Sequence, residues 1–156
     1  KGLQTIAGVL NNVKKCRVLV LGKGPLKKDL EAKYKNLNFL GFQKPDEYYK
    51  NASIAVVPSI WMENFPYSVL EAMSYGLCVI ASDIGGIPEQ IKNMKTGLIF
   101  ERGNKKDFEE KLNYLLKNPK EIKRMGKNAR EFVRKNFNWN KIIKKYEKYI
   151  HKMIQK

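Results

Sequence analysis

The stretch IAVVPSIWMENFPYSVLEAMSYGLCVIA, residues 54–81, carries the reading of the fold. It opens on a short apolar run, Ile54–Pro58, crosses a polar and aromatic loop, and closes on a second apolar run, Cys78–Ala81. Both runs have the length and composition of buried strands. Between them a helix is predicted from about Pro66 to Tyr75, with a proline in its first turn and Gly76 where a left-handed cap is needed. A strand, a helix and a strand in succession place the two strands parallel in one sheet.

The pattern repeats outward. Leu3–Leu10 carries apolar residues at helical spacing, and Cys16–Leu21 is a strand that ends at Gly22-Lys23-Gly24-Pro25. Pro25 suits the first turn of a helix reaching about Tyr34. Asn38–Gly41 is a second strand, and Asp46–Lys50 one or two helical turns. Beyond Ala81, Pro88 starts a short helix and Gly97–Phe100 forms a further strand. Lys105–Lys117, Pro119–Lys135 and Trp139 to the end are helical. The class is therefore α/β: a Rossmann-like parallel sheet flanked by helices, with a helical C-terminus, in a single domain spanning residues 1–156.

Composition narrows the partners. A net charge of +16 raises nucleic acid as a ligand,. The excess, however, is nearly all lysine, because only Arg17, Arg102, Arg124, Arg130 and Arg134 are arginines, and sequence-specific readers favour the planar guanidinium. The lysines are spread along the chain and densest on the last helices. Compositional bias is the first reading, peripheral contact with an anionic membrane surface the second, and nucleic acid is not expected. No run is long enough to span a bilayer and the start lacks a signal-peptide profile, so a cytoplasmic location is expected, with the inner membrane face as an alternative. Cys16 and Cys78 each fall within an apolar run and are expected to be reduced and buried, with no metal spacing between them.

Ligands of open α/β sheets sit beyond the carboxyl ends of the strands. Four loops leave such ends, at 22–25, 41–46, 58–66 and 82–88. The first has only two glycines and then proline, and no acidic residue ends the second strand, so it is not a dinucleotide fingerprint. The third holds Glu63, and Glu71 follows eight positions later inside the helix. The pair flanks a helix N-terminus, whose free N–H groups and partial positive charge suit a phosphate. Carboxylates accept from vicinal hydroxyls, so the arrangement fits a diphosphate with a sugar at each end. The alternative on spacing alone is an exposed loop acid and a solvent-facing helix acid. Leu70, Ala72 and Met73 around Glu71 suggest partial burial.

Residues 58–89, PSxWxENFPxSVLEAMxYGxxVIASDIGGIPE, closely resemble the group-one family of GT-B retaining glycosyltransferases, with its EX7E spacing at Glu63 and Glu71. Lys1-Gly2, LGKGPL at 21–26, NFLGF at 38–42, KTGLIF at 95–100 and FNW at 137–139 match in the family's order. The resemblance is to the C-terminal, donor-binding half of the architecture. It implies that Glu63 meets hydroxyls of the transferred sugar and Glu71 the ribose. It also implies that the backbone of Asn64, Phe65, Pro66 and Tyr67 meets the sugar and distal phosphate. Lys1 matches a lysine that neutralises the diphosphate and so assists catalysis, its arginine partner lying upstream of this chain. Gln43 matches a position that meets the base, and Gly22 and Lys23 lie in the turn near the phosphates. Pro66 departs from the glycine of many members. It removes one N–H donor but is comfortable at the first helical position.

The implied reaction moves a sugar from a nucleoside diphosphate sugar to a glycan or lipid-linked acceptor with retention of configuration, without a further cofactor. The acceptor would bind mainly to an N-terminal domain that this chain lacks, and alone the chain is expected to bind donor weakly and transfer nothing. The final helix typically crosses to that domain, leaving Ile142, Ile143, Tyr146, Tyr149 and Ile150 unpacked; packing on its own domain is the alternative. His151 is the sole histidine, which rules out histidine triads and HExxH zinc sites,. No Asp-x-Asp occurs, so leaving-group charge falls to protein groups and no metal is expected. The runner-up is a non-catalytic basic module for anionic membrane or nucleic acid. A sugar phosphorylase or epimerase shares the fold, but the EX7E context and the scarcity of histidine weigh against both.

Overall fold

A computed structural model describes residues 1–14 and 16–154. Helix α1 (Leu3–Asn11) precedes strand β1 (Val18–Leu21), α2 (Lys27–Lys33), β2 (Leu37–Gly41), α3 (Asp46–Asn51) and β3 (Ile54–Val57). Then come α4 (Tyr67–Ser74), β4 (Cys78–Ser82), α5 (Ile87–Gln90) and β5 (Gly97–Phe100), followed by α6 (Lys105–Lys117), α7 (Pro119–Asn136) and α8 (Trp139–Ile154). The last two positions of the predicted final helix lie outside the described residues.

All pairings are parallel, as helical crossovers require. The hydrogen bonding falls into two ladders, β1-β2 and β3-β4-β5, rather than one continuous sheet. In the larger ladder Ile54 stands opposite Cys78, Val57 opposite Ala81, and Ser82 opposite Phe100. Strand β4 is buried along its whole length. Its side chains alternate between two cores: Cys78 and Ile80 join Ile6, Leu98, Phe108 and Leu115, while Val79 and Ala81 join Val69, Met73, Ile87 and Ala129. Coverage on both faces is why CVIA reads as an unbroken apolar run with no polar alternation.

Three sequence expectations need correction. Strand β1 begins at Val18, where pairing with Leu37 starts, so Cys16 precedes the ladder and is exposed rather than buried. Helix α2 begins at Lys27, two residues beyond Pro25. Helix α4 begins at Tyr67, because Pro66 is extended at φ −64° and ψ 121° and caps the helix from outside. Cys78 is buried as expected, its Sγ donating to Met125 Sδ at 3.8 Å, and burial pushes its thiol up to about 12 despite the opposing charge of Arg124. A maleimide reagent at neutral pH is therefore expected to label Cys16 fully and Cys78 only after denaturation, as counted by mass spectrometry. Two labels on the native chain would contradict the packing around β4.

Helix α8 contributes no buried residue. Ile143, Tyr146, Tyr149 and Ile150 are exposed, as expected, and only Ile142 is half-buried, so most of the apolar side of the helix is unpacked among the described residues. No described helix is long and apolar enough to cross a membrane.

Candidate functional site

The exits of β3 and β4 build the site. Ser59, just beyond β3, is fully buried, and its carbonyl accepts a 2.7 Å hydrogen bond from the hydroxyl of Ser82 at the end of β4. The neighbouring β4 loop then holds the Glu63 segment by its backbone. The Gly86 N–H donates to the Glu63 carbonyl at 2.9 Å. A Cβ at Gly85 would overlap the Glu63 carbonyl oxygen, and one at Gly86 that of Asn64. Two side-chain-free residues thus let the two loops pack backbone against backbone.

The Glu63 carboxylate is only 19% exposed and has two donors. Lys1 Nζ lies 3.0 Å from Oε1, and the Ser59 hydroxyl donates to the same oxygen at 3.1 Å. Lys1 reaches it because Gly2 turns the chain at φ 97° directly against the Pro58 carbonyl, where any Cβ would overlap the oxygen. The lysine side chain is 73% exposed, so this pair is screened by water and its value lies in geometry more than in stability,.

Helix α4 starts immediately after. Its cap residue Pro66 supplies no side-chain bond to the first turn. The Tyr67 and Ser68 N–H groups fall among the donors that a helix start leaves without intrahelical partners. The Pro66 carbonyl accepts from Val69 N–H and from Gln90 Nε2, each at 3.2 Å, which braces the helix end from the α5 side. The Phe65 ring lies beside Gly86 and against Phe137, tilted, with ring centroids 5.5 Å apart. Asn64, Phe65 and Tyr67 are exposed around this end, and Pro66 is buried.

Glu71 is exposed, contrary to the partial burial suggested by its neighbours. Val69, Ala72 and Met73 form the buried stripe, and Glu71 falls on the opposite side of the helix,. It is not isolated, however. The Tyr75 hydroxyl donates to Asp46 Oδ1 at 2.5 Å, and the Tyr49 and Tyr75 rings lie 5.6 Å apart, fastening α3 to α4. Burial, then the Glu71 and Asp46 charges, raise the Tyr49 phenol above its ordinary value. For Tyr75 the hydrogen bond to Asp46 leads. Glu71 therefore faces the α3 side of the domain, where the 41–46 loop enters.

Gly22, Lys23 and Gln43 form a second group, at the ends of β1 and β2. Gly22, at φ 122°, donates its N–H to the Gly41 carbonyl at 2.6 Å, joining the two turns. Lys23 and Gln43 are exposed, and Gln43 Nε2 donates to the Leu40 carbonyl at 3.2 Å. Among the described residues no hydrogen bond or ion pair joins this group to Glu63 or Glu71. No group of three or more metal-ligating side chains is present among them either.

The residues brought together are thus Lys1, Glu63 and the start of α4, with Glu71 farther along that helix. Ser59, Ser82, Gly2, Gly85 and Gly86 stand in the motifs but offered no individual signal, since their roles depend on two loops meeting in space.

The family model described as glycosyl transferases group 1 matches residues 1–132. The chain belongs to this family. Sulfoquinovosyl transferase of Arabidopsis thaliana is 35% identical over 147 residues, 89% of this chain and 28% of that protein. Among solved structures, sucrose-phosphate synthase from Thermosynechococcus elongatus superposes with a TM-score of 0.89 at 26% identity, covering 99% of this chain and 43% of that one. The Anabaena protein HepE, solved in complex with UDP-glucose, superposes with a TM-score of 0.86 at 17% identity, covering 97% of this chain and 45% of that one. The architecture is the C-terminal half of the GT-B fold. The chain accordingly spans less than half the length of these relatives.

Proposed function

We propose that this chain binds the nucleoside diphosphate sugar for a retaining glycosyl transfer. The observation that carries the reading is the Lys1–Glu63 pair at 3.0 Å beside the uncapped start of α4, with Glu71 exposed along the same helix. The helix end and Lys1 offer positive charge to a diphosphate, which is where negative charge develops as the leaving group departs. Glu63 takes hydroxyls of the sugar on one side of that diphosphate, and Glu71 takes the ribose on the other. Gln43, Gly22 and Lys23 close the base and phosphate end. No further cofactor enters this scheme. HepE, of the same fold, is described in complex with UDP-glucose, which makes uridine the first base to test. The acceptor belongs to a partner domain, and the exposed apolar side of α8 is proposed to meet it.

Calorimetric titration of the chain with uridine, guanosine and adenosine diphosphates and their glucose esters tests the reading. One nucleotide is expected to bind at micromolar to millimolar concentration, with the matching sugar ester binding tighter. Absence of heat for every member at millimolar ligand would sink the assignment.

A further inference from the structure

The two donors on Glu63 both engage the same oxygen. Lys1 Nζ and the Ser59 hydroxyl meet Oε1, at 3.0 Å and 3.1 Å, and among the described residues no donor meets Oε2. We propose that Ser59 is a positioning residue, which together with Lys1 occupies Oε1 of Glu63 and so reserves Oε2 for a hydroxyl of the transferred sugar. This rests on the donor-binding reading above and gives Ser59 a part in it.

The two contacts differ in kind. Lys1 is a long side chain, 73% exposed, and can follow a diphosphate when one binds. Ser59 cannot move away. It is fully buried, follows β3 by two residues, and its carbonyl is fixed by Ser82 from β4. A buried hydroxyl needs a partner, and a carboxylate is a strong one. With the Glu63 backbone also fixed through Gly86, the carboxylate is held at both ends. A preoriented acceptor loses little freedom when the sugar arrives, so the fixed hydroxyl contributes to sugar affinity without touching the sugar. Nucleotide affinity, which this reading gives to Glu71 and the helix end, is untouched by it.

The test is a double-mutant cycle between Ser59→Ala and Glu63→Ala, read by calorimetry with UDP and UDP-glucose as probes. Ser59→Ala is expected to weaken UDP-glucose roughly fivefold to tenfold, the scale of ordering one freed side chain when the sugar binds, while UDP changes less than about twofold. In the Glu63→Ala background the same substitution is expected to cost nothing further. If Ser59→Ala does not fold, Ser59→Cys fills the site with a slightly larger side chain and a weak donor and carries the same expectation. Equal losses for both probes, or a loss that persists without Glu63, would overturn the positioning role. If the unsubstituted chain binds UDP-glucose no tighter than UDP, the assignment of the sugar to Glu63 fails, and the role of Ser59 with it.

Discussion

Replacing Gly126 by alanine is expected to lower the melting temperature by about 4–8 °C, although it lies inside a helix. At most exposed helical positions the substitution stabilises, by roughly 1 kcal/mol of helix propensity. Here sterics decide the sign. Gly126 lies in α7 where it crosses the turn between α4 and β4, and an added Cβ would overlap the Gly76 carbonyl oxygen. It would also lie 3.0 Å from the Gly76 carbonyl carbon and 3.5 Å from the Cys78 nitrogen. All three are backbone atoms, and Gly76 is itself held in a left-handed cap at φ 82°. No side chain can swing aside, so the helix must move. Overpacking of this kind costs on the order of 3 kcal/mol, which leaves a net loss of about 2 kcal/mol after the propensity gain. A domain of this size loses about 2–4 °C per kcal/mol. A melting temperature equal to or above that of the unsubstituted chain, measured by calorimetry, would show that α7 does not press on this turn.

The same contact shows what a sequence conveys and what it withholds. Gly76 was legible as a cap because the need for a positive φ after a helix is local. Gly126 was not, since the carbonyl it makes room for is fifty positions away in the chain. The strands followed the same division. CVIA is readable because it is buried on both faces, and IAVV because it is half-buried against both cores, each leaving a continuous apolar run, and their order with the intervening helix fixes a parallel pairing,. Cys16 looks like a strand residue, yet β1 starts at Val18, because the ladder is set by where Leu37 finds its partner. Within the site, the two glutamates and the helix start were legible from one contiguous motif. The orientation of Glu63 is not, because it depends on Lys1, on Ser59, and on Ser82 and Gly86 at the exit of β4, drawn from three separate segments. The sequence neighbours of Glu71 suggest partial burial, but on a helix the neighbours at three and four positions decide, and the buried face runs through Val69, Ala72 and Met73,.

Glu71→Ala is expected to weaken UDP on the order of tenfold, and Glu63→Ala to leave UDP within about twofold while erasing the added affinity of UDP-glucose. The division follows from the settings of the two carboxylates. Glu71 is exposed, and none of its carboxylate oxygens meets a donor among the described residues. It is therefore free to accept from two vicinal ribose hydroxyls, and at a water-exposed site each such bond falls at the low end of the ordinary net range, so losing the pair costs about 1.5 kcal/mol. One term opposes this. Glu71 is an anion near a proposed diphosphate, and removing it relieves some repulsion, which water and salt reduce. Glu71→Gln separates the two, since it removes the charge but keeps one acceptor. It is expected to bind UDP between the unsubstituted chain and Glu71→Ala if hydroxyl recognition dominates, and tighter than both if repulsion does. Glu63 is held by Lys1 and Ser59, and its loss frees Lys1 to turn wholly to the diphosphate, which keeps UDP affinity from falling. Equal tenfold losses of UDP in Glu63→Ala and Glu71→Ala, measured by calorimetry at one salt concentration, would contradict the assignment of one glutamate to the sugar and the other to the nucleotide.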